Sequence, residues 1–274
     1  MKTSLRGRIA ANGTAYLTTL LFLIPVYILL NLALKPADDL TSGLLPSTRP
    51  TMDNFIQAWN GSSLPQSILM SILVTGLASV VLLTFSTMAA YPLARSTSRW
   101  SNVTFYTFLI GLLLPFQLAM IPLYIQMRDL GLLGTIWALV FIYSGAFMPF
   151  SIFLLTTFLR SGVPLEYEEA AHIDGAGHVR TFWHVVVPLL RPAIGTLFIL
   201  NGVGIWNDFF TPLIYLAGSG QSTIPMAIYE FVGQYTSNWP LIFASLIISM
   251  IPILTLYLIF QRYVIRGFAG GLKG

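Results

Sequence analysis

The chain has 274 residues, of which 55% are hydrophobic and 9% charged, with 14 Lys and Arg against 10 Asp and Glu and a mean hydropathy of +0.77. A soluble domain carries about a quarter of charged residues, so this composition excludes a water-facing globular domain and predicts a surface solvated largely by lipid. The absence of cysteine excludes disulfides, thiolate catalysis and Cys-ligated metals.

Six apolar stretches are each long enough to cross a bilayer, which takes about 20 residues of helix. They predict an all-α polytopic membrane protein, with residues 1–274 as one membrane domain and spans at 14–34, 67–93, 103–125, 135–159, 192–215 and 241–263. The basic residues before the first stretch also fit a signal peptide. Its apolar core is longer than a signal sequence requires and no small-residue cleavage site follows, so we expect a retained helix.

Lys and Arg are divided unevenly between the two sides of these spans. Eleven fall in the N-terminus, the turn before residue 103, the loop 160–191 and the C-terminal tail, whereas three fall on the opposite side, at Lys35, Arg49 and Arg128. Because cytoplasmic loops carry the excess of positive charge, this division predicts that both termini are cytoplasmic.

The loop 160–191, between the fourth and fifth spans, carries helix signals. Pro164 suits the first turn of a helix and Gly175 a left-handed stop. Between them stand acids that favour a helix N-terminus and strong helix formers: Glu166, Glu168, Glu169, Ala170 and Ala171. We predict a short helix on the inner membrane face, then a second helical stretch at 179–190 whose line Pro188 and Pro192 break. By its residues alone, the first helix either docks on a basic partner surface or touches only headgroups.

These loop residues also carry a resemblance to a known family. The run Glu169-Ala-Ala-His-Ile-Asp-Gly-Ala176, with the later Phe182 and Val187-Pro188, resembles the cytoplasmic loop of the permease subunits of ATP-binding-cassette importers. The run Trp206-Asn-Asp-Phe-Phe-Thr-Pro212 and the ending Arg266-Gly-Phe-Ala-Gly-Gly-Leu-Lys-Gly are similar to the MalG-like permeases of carbohydrate importers. The resemblance covers nearly the whole chain.

The resemblance implies a MetI-like, type I importer permease, in which the short helix is a coupling helix seated in a cleft of a cytoplasmic ATPase. The residues it assigns to coupling are Glu166, Glu169, Ala170, Ala171, Asp174, Gly175 and Pro188. It implies a bacterial or archaeal inner membrane location, a second permease subunit as a heterodimeric partner, two ATPase subunits and an extracytoplasmic solute-binding protein. The substrate it favours is a di- or oligosaccharide.

Energy is expected to come from the partner, because the chain contains no G-x-x-x-x-G-K-[ST] phosphate loop. ATP and magnesium would bind the ATPase subunits, so we expect no cofactor in this chain, no enzyme activity of its own and no nucleic-acid partner. The three histidines, His172, His178 and His184, are six residues apart. That spacing does not share a helix face, so we expect no metal site.

Polar residues within the spans are candidates for the translocation path, since such groups are costly in lipid and face cavities or partners. Asp208 and Asn201 are seven residues apart in the fifth span, with Trp206 beside them, and Gln117 lies between two prolines of the third. These residues either contact sugar or form hydrogen bonds between helices and anchors at the interface.

Three other functions compete with sugar import. A permease for a polyol or a glycerol phosphate ester would carry the same loop, because coupling does not depend on the solute. A secondary transporter would require several buried carboxylates, and Asp208 is the one clearly placed in a span. A membrane enzyme would require a cluster of acid, base or metal-binding residues, which the sequence does not suggest.

Overall fold

The computed structural model describes residues 5–39, 41–232 and 238–271. Lys2 and Lys273, two of the basic residues that predict orientation, lie outside them. In chain order the helices are α1 (Leu5–Ala33), α2 (Asp53–Asn60), α3 (Leu64–Arg95), α4 (Arg99–Leu113), α5 (Phe116–Asp129), α6 (Ile136–Gly162), α7 (Glu166–Ile173), α8 (His178–Thr181), a π-helical segment (Phe182–Val186), α9 (Val187–Asn207), α10 (Phe210–Tyr215), α11 (Ile224–Tyr229) and α12 (Trp239–Gly271).

Long apolar helices confirm the all-α membrane architecture. Within the described residues, five helical stretches are long and apolar enough to cross a bilayer: Asn12–Ala33, Leu64–Arg95, Ile136–Gly162, His178–Asn207 and Trp239–Ile259. They correspond to the first, second, fourth, fifth and sixth predicted spans. A bent pair of helices, α4 and α5, occupies the place of the third, so the structure holds five or six spans.

The third span is not the single helix predicted at 103–125. α4 and α5 meet at an angle of 101°. Leu114 is extended, with φ −81° and ψ 124°, and Pro115 begins the next element. A proline disfavours helical backbone at the residue before it, because its Cδ clashes with that residue's N–H and Cβ. The break therefore falls at Pro115, whereas Pro122 lies inside α5 without ending it.

The helix that follows the loop is also different from the prediction. Pro188 and Pro192 were expected to break it, but helical structure continues from His178 to Asn207. The π-helical segment precedes Pro188, and the N–H of Val187 donates to the carbonyl of Phe182, five residues earlier. The wider π turn relieves the clash of a proline ring with the preceding turn. The same helix ends at Asn207, not at residue 215 as predicted, and α10 follows after Asp208 and Phe209.

The described residues form two compact units, one within Met1–Pro65 and Ala227–Ile251 and one within Gln66–Met226 and Pro252–Gly274. In the second unit, α3, α6 and α9 supply most of the core. One cluster surrounds Leu139 and Tyr215. Another surrounds Leu155 and Leu190 and reaches Val163, next to α7. The base of the loop 160–191 is therefore packed onto the ends of the spans.

In the first unit, the segment between α1 and α2 is folded around a buried lysine. Lys35 is 1% exposed, and its Nζ donates to the carbonyls of Thr41 and Ser42 at 3.1 and 3.0 Å. The Asn54 side chain on α2 donates to the carbonyls of Ala33 and Lys35 at 2.8 and 2.7 Å. The two Asn54 bonds satisfy carbonyls at and just after the end of α1, where carbonyls lack partners within the helix.

Candidate functional site

The short helix predicted in the loop 160–191 is α7, and its ends follow the predicted signals. It begins at Glu166, just after Pro164, and three acids stand in its first turn. Gly175 follows its end with φ +82°, in the left-handed region that glycine tolerates. The N–H of Ala176 donates to the carbonyl of Ala171 at 2.9 Å, which closes the helix end.

One face of α7 is exposed. The exposed residues at positions i, i+3, i+4 and i+7 form a single stripe of the helix, called here the α7 stripe: Glu166, Glu169, Ala170 and Ile173. Ile173 is 86% exposed, although it is apolar. The stripe combines two carboxylates with a small and an apolar side chain, so it offers both charge and a close approach to another surface.

The opposite face of α7 is fixed to α3 by Glu168, which is 3% exposed. Its carboxylate accepts from Arg95 Nε at 2.8 Å and from the Tyr91 hydroxyl at 2.8 Å. Arg95 Nη2 lies 2.7 Å from the same carboxylate. A buried carboxylate needs such a charged, hydrogen-bonded partner, and here the partner is the end of a span.

The other residues assigned to coupling lie beside the stripe or away from it. Ala171 is half-buried, and Asp174 is exposed at the end of α7, where its N–H donates to the carbonyl of Ala170. Gly175 is exposed, and a Cβ there would meet nothing within 4 Å. Pro188 is half-buried in the first turn of α9, so it does not belong to the α7 stripe.

Two of the three histidines are closer together than their spacing suggested. The ring centroids of His172 and His178 are 5.0 Å apart. The spacing applies to a single helix, whereas the turn at Gly175 places the two rings on different helices. His184 instead bonds to the carbonyl of Arg180 at 3.1 Å. In the described parts of the chain, no three His, Asp or Glu side chains are grouped to hold a metal ion.

Asn201 and Asp208 both reach α6. Asn201 Nδ2 donates to the Ser151 hydroxyl at 3.0 Å, within a buried contact. Tyr143 donates its hydroxyl to Asp208 Oδ2 at 3.1 Å, and the N–H of Phe210 donates to Oδ1 at 3.0 Å. Asp208 thus joins α6 to the turn between α9 and α10. In this conformation both side chains form hydrogen bonds between elements. This is one of the two roles that the sequence left open, the other being contact with sugar.

The two remaining path candidates differ in exposure. Trp206 is 6% exposed, so its ring is not open to a ligand in this conformation. Gln117 is exposed in the first turn of α5, directly after the break at Pro115. It remains a separate candidate.

The sequence did not point to the partners of these polar groups. Arg95 was counted only as a positive charge on one side of the membrane, and Tyr91, Tyr143 and Ser151 were not singled out. A usable signal was present, because a polar side chain within a span normally requires a partner in a neighbouring span. Asp208 and Asn201 therefore carried a signal that partners lie in a neighbouring span.

The spans and the α7 stripe define a class: a multi-pass helical membrane protein that presents a short acidic helix outside its spans. The chain belongs to the family described as the binding-protein-dependent transport system inner membrane component, whose model matches residues 83–270. It is therefore a transport permease.

Individual relatives agree with the family. The chain is 35% identical to the melibiose/raffinose/stachyose import permease protein MelC of Bacillus subtilis, over 92% of this chain and 91% of that protein. It is 33% identical to the multiple sugar-binding transport system permease protein MsmG of Streptococcus mutans, over 92% of both. A solved bacterial ABC transporter involved in alginate import has the same fold, with a TM-score of 0.82 at 22% identity, over 96% of this chain and 99% of that one.

Proposed function

We propose that this permease imports a di- or oligosaccharide and is driven by a cytoplasmic ATPase that seats on the α7 stripe. The observation that carries the docking is the division of α7 into two faces. Glu168 is buried against Arg95 and Tyr91, while the stripe, Ile173 included, is exposed. A surface helix that touches only headgroups has no need of an inward carboxylate that fixes its rotation.

The stripe is suited to a protein surface with basic groups beside an apolar cleft. Glu166 and Glu169 supply two exposed carboxylates. The small side chain of Ala170, between them and Ile173, allows a partner surface to approach the helix closely. The remaining parts of the proposal are a second permease subunit that completes the translocation path, a solute-binding protein outside the cell, and cytoplasmic chain termini. The excess of Lys and Arg on one side, eleven against three, supports that orientation.

Docking is tested by adding bulk to the stripe. In Ala170→Trp the indole would hold the ATPase away from α7, so we expect the amount of ATPase that copurifies in mild detergent to fall several-fold. Tyr167→Trp is the matched control, because Tyr167 is exposed on the same helix but lies outside the stripe. Full copurification with Ala170→Trp would overturn the docking proposal.

The sugar is supported by the relatives, which are named for melibiose, raffinose and stachyose import and for multiple-sugar transport. The test is ATP-driven uptake in proteoliposomes that contain the copurified permease pair, ATPase and binding protein. We expect accumulation of labelled raffinose or a related oligosaccharide. Uptake of sorbitol or glycerol 3-phosphate in its place would show that the permease carries a polyol or a phosphate ester.

For the translocation path, Gln117 is the proposed contact, since it is exposed and lies at the break of the third span. Backbone breaks at membrane depth are tolerated where they line a cavity or are buried in protein. Gln117→Leu should raise the sugar concentration needed for half-maximal uptake while leaving ATPase copurification unchanged. An unchanged uptake curve would remove Gln117 from the path.

A further inference from the structure

Two arginines at the ends of α3 and α6 bind each other's helix. Arg95, at the end of α3, donates from Nη1 to the carbonyl of Leu159 at 3.1 Å and from Nη2 to the carbonyl of Val163 at 2.8 Å. Arg160, near the end of α6, donates from Nη2 to the carbonyl of Leu93 at 2.9 Å. The last carbonyls of a helix lack internal partners and attract cations, so each arginine caps the C-terminal end of the other helix.

The same Arg95 guanidinium holds α7 through Glu168. The two carboxylate oxygens are divided between two groups of α3: Oε1 accepts from Arg95 and Oε2 from Tyr91. One guanidinium therefore connects three helices, namely α3, the end of α6 and α7. Since its planar fork has several donors in fixed directions, Arg can make these contacts at once, which the single ammonium of Lys cannot reproduce.

We propose that the Arg95–Glu168 pair is the link that transmits movement of α7 to α3 and α6. This inference rests on the proposed function, in which an ATPase moves α7. The covalent connections of α7 are the short non-helical segments 163–165 and 174–177. A displacement of α7 could be absorbed by rotation in those segments. The buried pair prevents this, because separating it would leave an uncompensated charge inside the protein.

Arg95 and Glu168 are thus positioning residues and not docking residues, and the distinction can be measured. Glu168→Gln keeps the shape of the side chain and removes its charge, while Arg95 keeps its bonds to Leu159 and Val163. The assay uses the assembled transporter in proteoliposomes, at equal amounts of bound ATPase, and reports sugar transported per ATP hydrolysed. We expect ATPase copurification within about twofold of the wild type, and transport per ATP at least fivefold lower.

Two further variants refine the test. Asp129→Asn is the matched control, because it removes a carboxylate from the exposed pair with Arg128, where both side chains are 60% exposed. Exposed pairs contribute little, so transport per ATP should not change. Tyr91→Phe removes one bond from Glu168 without removing a charge. It should lower the ratio less than Glu168→Gln does, and it serves as the milder variant if the Glu168→Gln permease does not fold.

The possible outcomes separate this inference from the proposed function. A normal transport ratio in Glu168→Gln and Tyr91→Phe overturns the inference, as does a loss of ATPase copurification in Glu168→Gln, which would make Glu168 a docking residue. If Ala170→Trp keeps its ATPase, the docking proposal itself fails, whatever the result with Glu168. The inference is supported when the stripe variant loses the ATPase and Glu168→Gln, or Tyr91→Phe if Glu168→Gln does not fold, retains it with a reduced ratio.

Discussion

Removing the Tyr143 hydroxyl tests whether the polar groups between α6 and α9 serve structure or substrate. In Tyr143→Phe the ring remains in the core, and Asp208 loses the bond at 3.1 Å while it keeps those from the N–H groups of Phe210 and Thr211 at 3.0 and 3.4 Å. One of three bonds to this carboxylate disappears, together with the bond between the Tyr143 hydroxyl and the Thr211 side chain.

The expected cost follows from the kind of bond. A hydrogen bond to a charged group contributes about 1.5–3 kcal/mol in soluble proteins. Bonds between membrane helices average about 0.6 kcal/mol with a maximum near 1.7. Because Asp208 keeps two donors, we expect about 1 kcal/mol. For a chain of this size that corresponds to a melting temperature lower by roughly 2–4 °C.

The assay is thermal unfolding of the detergent-purified transporter, followed by uptake of the same preparation in proteoliposomes. Tyr106→Phe is the matched control, since Tyr106 also lies in a span but is 61% exposed. We expect a lower melting temperature for Tyr143→Phe only, with uptake within about twofold of the wild type. An unchanged melting temperature combined with abolished uptake would refute the structural role and would place the hydroxyl on the substrate path.

Three further predictions concern the loops. Gly175→Ala forces a Cβ into left-handed backbone at φ +82° and should destabilise the end of α7 by about 1 kcal/mol, seen as faster proteolysis of the loop, whereas Gly177→Ala should not. Bonds from the Thr41 hydroxyl and N–H lower the pKa of Asp39 to about 2 from 3.8. The carboxylate therefore stabilises its loop above pH 4, and this contribution is lost as the pH falls through 2, which pepsin cleavage at 36–50 would report. Asn54→Ala removes two bonds at the end of α1 and should cost about 2 kcal/mol in thermal unfolding.

A different result would contradict each of these three predictions. Equal proteolysis of the Gly175 and Gly177 variants would mean that backbone strain does not control the end of α7. Pepsin cleavage that is constant from pH 4 to pH 2 would mean that Asp39 does not stabilise its loop. An Asn54→Ala protein with wild-type melting would mean that water replaces the amide at both carbonyls.

Hydropathy predicted most of the membrane architecture, since the length of an apolar run depends directly on bilayer thickness. Hydropathy could not predict the angle at Pro115, because a broken span and a straight one have the same composition. Pro115 and Pro188 both carry a breaking signal, yet only the first ends a helix. The difference arises at Phe182–Val186, where a π turn accommodates the second proline.

The loop was predictable to the level of its helix, because Pro164, the acids and Gly175 are local signals. The inward position of Glu168 was not, since all three acids have the same local preference for a helix N-terminus. Their separation into buried and exposed positions depends on Arg95, which is 73 residues away along the chain. Similarly, the proximity of His172 and His178 depends on how two helices meet and not on the interval between them.

The central claim is that an ATPase seats on the α7 stripe, and cross-linking tests it most directly. The chain has no cysteine, so Ile173→Cys creates a unique thiol on the stripe and Thr48→Cys a unique thiol in the exposed loop between α1 and α2. The assembled transporter would be treated with a short thiol-to-amine cross-linker in native membranes. We predict a cross-link from residue 173 to the ATPase and none from residue 48. An ATPase that remains bound but cross-links from residue 48, or not from residue 173, would contradict the account.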